Sequence, residues 1–129
     1  MQIIHDDKAC DLVFFDPDNG IEVKTTNNKN VHKYVAWDEV EVAYDSGKNI
    51  LIYQHFSRMN RERFIQTKVD EIRGRLLAAI FVIRVKHSVY FLISRETDVP
   101  RIEPVLLEYT RLWKDLVSTS TVHKERYFP

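Results

Sequence analysis

The stretch DLVFFDPDNGIEV, residues 11–23, joins a run of apolar residues directly to a group of acidic and amide side chains. Asp16, Asp18 and Asn19 follow the apolar run within four positions. Carboxylates at the end of a buried strand suit general acid–base chemistry or the binding of a divalent ion. The same residue types also form ordinary turns, because Asp and Asn bond nearby backbone amides and Gly20 accepts a positive φ. Both interpretations stay open on the sequence.

A second group of polar residues ends the apolar segment NILIYQH, residues 49–55. Gln54 and His55 close that segment, and Arg58 and Arg61 follow it. Imidazole is a common general acid or base, and guanidinium groups bind phosphate. In open α/β sheets, ligands bind beyond the carboxyl ends of parallel strands, so we expect the two groups to meet there. The predicted catalytic residues are Asp16, Asp18 and His55, and the predicted substrate-binding residues are Asn19, Gln54, Arg58 and Arg61.

The elements that position these residues are indicated by hydrophobic pattern. Consecutive apolar residues at 11–15 and 49–55 are typical of buried strands. Segments 78–86 and 89–95 have two residues between them and predict an antiparallel hairpin. Apolar residues at helical spacing predict helices over residues 34–46, 58–75 and 103–117.

Alternation of strands and helices predicts parallel pairing through right-handed crossovers. We therefore expect one α/β domain over residues 1–129, with a layered, mostly parallel sheet and a closing antiparallel hairpin. Residues 118–129 are expected to form a loose tail. The predicted core face of the last helix is Val105, Tyr109, Leu112 and Leu116.

Composition narrows the class of protein. The chain has 129 residues, 44% of them hydrophobic, and a formal net charge of zero, so its overall charge is not that of a nucleic-acid binder. It has no apolar run of the roughly 18–20 residues that cross a membrane. The lone Cys10 excludes an internal disulfide, and the N-terminal residues lack a signal-peptide pattern. These features predict a cytoplasmic protein without a membrane partner.

The segments DLVFFDP and NILIYQH and the closing hairpin AAIFVIRVK/VYFLISR, taken in order, resemble a known family. They are similar to the C-terminal half of Rossmann-like methyltransferases that use S-adenosylmethionine. In that family the fourth strand ends in an acidic, often Asp-Pro, motif. The resemblance covers roughly residues 10–95 and implies a methyltransferase-like half-fold.

Two departures bear on the cofactor that this family uses. The family's N-terminal half, with its glycine-rich loop, has no counterpart among the three glycines of this chain. Asp16 and Pro17 match the family's Asp-Pro-Pro-aromatic pattern, whereas Asp18 and Asn19 replace its last two places. Asn19 cannot stack on an extruded base as the aromatic residue does. We therefore expect no S-adenosylmethionine, and the chain is either a half-domain of this kind or a piece of a longer protein.

The segment PDNGIEVK also resembles the PD…(D/E)xK arrangement of metal-dependent nucleases, in which two carboxylates hold a divalent ion. That resemblance implies a metal at Asp18 and Glu22 and assistance from Lys24. Here the two acids are four residues apart in one turn, whereas the family places them on successive strands. A divalent metal is thus a possible cofactor on this interpretation alone.

Two hypotheses for the function follow. In the first, the chain is a non-catalytic methyltransferase-like half-domain that acts by binding a protein, a nucleotide or a nucleic acid. Its strand 11–15 has an unpaired edge, which residues 2–4 could cover by folding back; the favoured alternative is a homodimer that covers it. In the second, it is an enzyme on a phosphate-containing substrate: a hydrolase, a transferase or a metal-dependent nuclease. The second hypothesis uses the cluster of Asp16, Asp18 and His55.

Overall fold

The computed structural model of the chain describes residues 12–16, 36–56 and 58–122. Within these ranges, one five-stranded sheet carries two helices on one face and a third helix on the other. The strands are β1 (Leu12–Phe15), β2 (Asn49–His55), β3 (Ala79–Arg84), β4 (Ser88–Ser94) and β5 (Ser118–Val122). The helices are α1 (Trp37–Asp45), α2 (Arg61–Arg75) and α3 (Val99–Leu112), the last preceded by a short 3₁₀ turn at Glu96–Asp98.

The order of the strands across the sheet is β1–β2–β4–β3–β5. β1 and β2 are parallel, whereas β2–β4, β4–β3 and β3–β5 are antiparallel. The expectation of a mostly parallel sheet is therefore wrong. The physical reason is the tight β3–β4 hairpin. Its second strand, β4, lies between β2 and β3 and is antiparallel to both.

The loose tail expected from residue 118 is also wrong for its first five residues. Ser118–Val122 pairs antiparallel with β3, with Val82 opposite Ser120. The hydroxyl of Thr110 on α3 lies 3.3 Å from that of Thr119. β5 has the sequence STSTV and is only partly buried, so it lacks the apolar pattern by which a strand is recognised in a sequence.

Helices α1 and α2 cover one face of the sheet. α1 buries Trp37, Val40 and Tyr44, as its spacing predicts, and ends at Asp45. Gly47, with a φ of 98°, follows and terminates the helical backbone. α2 begins after Asn60, whose side chain accepts a hydrogen bond from the backbone N–H of Arg63 at 3.1 Å. The largest fully buried side chains in this layer are Phe15, Phe91, Ile50, Ile52, Ile72, Ile80 and Ile93.

Helix α3 covers the opposite face through residues that differ from those predicted. It begins at Val99 and packs Val99, Ile102 and Leu106 against Phe81 and Leu92 of the sheet. The predicted core face of Val105, Tyr109, Leu112 and Leu116 is exposed, so that prediction is wrong. The helix carries two neighbouring apolar stripes, and periodicity alone does not say which of them meets the sheet.

Candidate functional site

The parallel pairing of β1 and β2 brings the predicted site residues to one edge of the sheet. Phe15 lies opposite Ile52, so Asp16 and the pair Gln54 and His55 follow at the same end of neighbouring strands. This part of the prediction is supported by the register. Asp18 and Asn19 lie outside the described residues.

The sheet separates Gln54 from His55. Successive residues of a strand point to opposite faces, and Gln54 is buried on the side of Ile50 and Ile52. His55 is exposed, and its Nδ1 lies 3.5 Å from the hydroxyl of Tyr53 two residues earlier. The two side chains therefore share an edge of the sheet but not a face.

The two arginines predicted to bind an anion are exposed at the start of α2. Arg58 precedes the helix, and Arg61 is its first residue. The guanidinium of Arg61 lies over the ring of Phe56, 4.7 Å from its centroid. This cation–π contact gives Arg61 a structural partner that the sequence did not indicate.

An aromatic group lies beside this edge, on the face of the sheet that also carries α3. Phe14, Tyr53 and Tyr90 stand on the adjacent strands β1, β2 and β4, with the Tyr90 ring centroid 6.4 Å from Phe14 and 5.5 Å from Tyr53. Burial raises the pKa of Tyr90, and nearby Tyr53 and Asp16 raise it further. The sequence could not show this group because it depends on which strands are neighbours.

The described residues hold no group of three or more His, Cys, Asp or Glu side chains that could bind a metal ion. Among the helices of the described ranges, none is long and apolar enough to cross a membrane. Asp16 is exposed and lies at the end of β1. Of the predicted site residues that the structure describes at this edge, Asp16 and His55 are therefore exposed, whereas Gln54 is buried.

Most of the exposed large apolar side chains among the described residues lie on helix α3 and the turn after it, and five of them form its second apolar stripe. We name it the α3 stripe. Its side chains are between 47% and 66% exposed, although every one is large and apolar. Exposed patches of this kind on a folded domain mark interaction sites. The α3 stripe consists of Val105, Tyr109, Leu112, Trp113 and Leu116.

A groove of about 440 Å³ lies at the C-terminal end of the α3 stripe. Tyr109, Trp113 and Leu116 form one wall, and Lys86 and His87 of the β3–β4 turn belong to the other. None of the described residues that line it is acidic. The groove is thus an apolar recess with positive charge at its margin.

Charges of both signs flank the α3 stripe along the helix. Arg101 pairs with Asp98 at 3.4 Å, and Arg111 pairs with Glu108 at 2.5 Å and 3.0 Å. Hydrogen bonding from Arg111 holds the pKa of Glu108 below its usual range. Mixed charge around an apolar centre is the composition of a protein–protein contact rather than of a nucleic-acid contact.

No protein-family model, no curated protein and no solved structure matches this chain. The function must therefore be inferred from the sheet edge, the aromatic group and the α3 stripe themselves. The sequence predicts that Asp16 and His55 follow neighbouring strands, and β1 and β2 are neighbours. It also predicts Val105, Tyr109, Leu112 and Leu116 as core, and these residues are exposed.

Proposed function

We propose that this chain is a non-catalytic, methyltransferase-like half-domain that acts by binding another protein through the α3 stripe. The observation that carries the proposal is the exposure of five large apolar side chains on one side of α3 and its terminal turn. These side chains are not buried against the sheet of their own domain, so another surface is needed to remove them from water. Because Val99, Ile102 and Leu106 already hold the helix to the sheet, the α3 stripe is available for another surface.

The proposal that the chain is a methyltransferase-like half-domain is supported by the order of its strands and helices. A strand, a helix, a strand and a helix are followed by the antiparallel hairpin β3–β4, the order that the family resemblance implies. The chain contributes no glycine-rich loop for a cofactor. Calorimetric titration with S-adenosylmethionine tests this point, and we expect no saturable heat.

The enzyme hypothesis draws only on the shared edge of Asp16 and His55. Its test is hydrolysis of a chromogenic phosphate monoester, a phosphate diester and single-stranded DNA, each with Mg²⁺ or Mn²⁺. The wild-type chain is compared with Asp16→Ala and His55→Ala. We expect all three proteins to give the background rate, because the proposed binding function assigns neither side chain a catalytic role. Turnover that either substitution abolishes, with the fold intact, would show that the chain is an enzyme.

A further inference from the structure

We propose that the protein bound by the α3 stripe is a second copy of this chain, with the two α3 helices packed antiparallel across a two-fold axis. This inference rests on the proposed function, since it names the occupant of the same surface. The axis passes between Tyr109 and Leu112, near the middle of the stripe. Each copy then offers the same patch to the other, as a closed symmetric dimer requires.

The spacing of the α3 stripe fits a helix partner. Val105, Tyr109, Leu112 and Leu116 are separated by four, three and four residues, which is the spacing of a seam between two packed helices. The last of these residues lies in the turn that follows α3, where the backbone N–H of Leu116 bonds the carbonyl of Trp113 at 2.8 Å. The seam is therefore short, and the groove beside it extends the contact.

The area of the patch is close to what a stable dimer needs. Side chains of this size at these exposures leave on the order of 500 Å² of apolar surface open, in the upper part of the roughly 300–600 Å² seen for the largest patch on a monomer. Two such patches together remove on the order of 1,000 Å² from water, about the minimum for a specific interface. Polar groups around the rim would add to that area.

Shape and charge favour the antiparallel orientation. With the axis between Tyr109 and Leu112, Val105 of one copy faces the groove beside Trp113 and Leu116 of the other. The N-terminal end of α3 has three acidic residues, Glu96, Asp98 and Glu103, against one basic residue, Arg101, which pairs with Asp98. The groove at its C-terminal end is lined by Lys86 and His87 and by no acidic residue among those described. An antiparallel pair places the acidic end of one copy beside the basic end of the other. The helix dipoles also align favourably.

The experiment measures the mass of the protein in solution by sedimentation velocity over a series of concentrations. We expect a dimer for the wild-type chain and for Leu107→Glu. For Leu112→Glu we expect the dimer dissociation constant to rise at least about tenfold, because the new carboxylate is buried in an apolar contact. Leu107 is the matched control, since it is equally exposed on the same helix but lies outside the stripe.

Three further variants test the symmetry and the orientation. In a Cys10→Ser background, Tyr109→Cys should link two copies through a short bis-maleimide, whereas Leu107→Cys should not. Lys86→Glu should weaken the dimer, because it places an acid beside the acidic end of the partner's helix. A dimer that Lys86→Glu leaves unchanged contradicts the antiparallel orientation.

The remaining outcomes separate this inference from the proposed function. A dimer that Leu112→Glu does not weaken overturns the α3 pairing. A monomeric wild type, with Leu112→Glu and Leu107→Glu equally stable, overturns the second copy but leaves the α3 stripe open to another protein. A monomer that Leu112→Glu destabilises as much as a core variant means that the chain covers the stripe itself, which overturns both proposals.

Discussion

Leu107 and Leu112 are exposed to nearly the same extent, 63% and 62%, but they lie on different sides of helix α3. Their separation of five residues corresponds to about 140° around the helix axis. Only Leu112 belongs to the α3 stripe. The pair therefore distinguishes an effect of the stripe from an effect of any exposed leucine on this helix.

The first prediction concerns the free energy of unfolding of the monomer. At low protein concentration, Leu112→Glu and Leu107→Glu should each change it by no more than about 0.5 kcal/mol, because neither side chain is packed in the core. Leu106→Ala should lower it by about 1–2 kcal/mol, since Leu106 packs against the cluster of Phe81 and Leu92. Urea unfolding followed by circular dichroism measures all three. A larger loss for Leu112→Glu than for Leu106→Ala would place Leu112 in the core.

The second prediction concerns the attachment of α1 to the end of β4. The Arg95 guanidinium donates hydrogen bonds to the backbone carbonyl of Tyr44 and, at 3.2 Å, to that of Lys48, and it lies 4.2 Å from the centroid of the Tyr44 ring. It thus neutralises the negative end of the α1 dipole. Arg95→Ala should lower the free energy of unfolding by about 1.5–3 kcal/mol.

Arg95→Lys is the control for this second prediction. It keeps the positive charge but loses the planar fork that reaches both carbonyls. We expect its free energy of unfolding to lie between those of the wild type and Arg95→Ala. If Arg95→Ala is as stable as the wild type in urea, the two hydrogen bonds do not contribute to folding.

The sequence identified most elements because their signals are local. The segment 49–55 forms a strand with the predicted bounds, and the buried stripe of Trp37, Val40 and Tyr44 is as expected. The predicted start of the last helix at residue 103 is late, because a proline at position 104 is also compatible with the first turn of a helix. In the structure Pro100 fills that position and Pro104 lies inside the helix.

The sequence does not show which strands are neighbours in the sheet, because that is not a local property. Whether β3 or β4 lies beside β2 depends on long-range packing, and both orders agree with the same hydrophobic runs. The choice between the two stripes of α3 has the same cause, since both are apolar and only the sheet selects Val99, Ile102 and Leu106. The shared edge of Asp16 and His55 was predictable because it required only that β1 and β2 be parallel neighbours.

The third prediction concerns how the free energy of unfolding changes as the pH falls. The Arg84 guanidinium donates to both carboxylate oxygens of Glu62, at 3.1 Å and 3.0 Å, and to the hydroxyl of Ser120 at 2.9 Å, so that α2, β3 and β5 are joined. The hydrogen bond and the charge of Arg84 lower the pKa of Glu62. Because the pKa of Glu62 is lower in the folded state than in the unfolded state, this pair stabilises the fold fully at pH values above the unfolded-state pKa. That contribution is lost as the pH falls through the folded pKa.

The test of this third prediction is Glu62→Gln. Because Glu62 is largely exposed, the substitution should cost less than about 1 kcal/mol at neutral pH and low salt. The difference from the wild type should disappear in acid, below the lowered pKa, and should shrink in high salt. Urea unfolding at several pH values measures it. A difference that persists in acid would assign the effect of Glu62 to packing rather than to its charge.

The fourth prediction is that the same substitution has opposite effects at two glycines. Gly47 has a φ of +98°, and Gly74 lies inside α2. A Cβ built at either position meets nothing within 4 Å, so only the backbone decides the outcome. Gly47→Ala should lower the free energy of unfolding by about 1 kcal/mol, because a side chain disfavours the left-handed conformation.

Gly74→Ala should raise the free energy of unfolding by about 0.5–1 kcal/mol, because alanine loses less backbone entropy than glycine when a helix forms. Thermal or urea unfolding of the two single variants measures both effects, and the double variant should show their sum, since the glycines lie in different elements. Equal shifts of the same sign would mean that alanine acts through contacts at these sites. Opposite signs would confirm that Gly47 is required by the turn that ends α1, whereas Gly74 is dispensable.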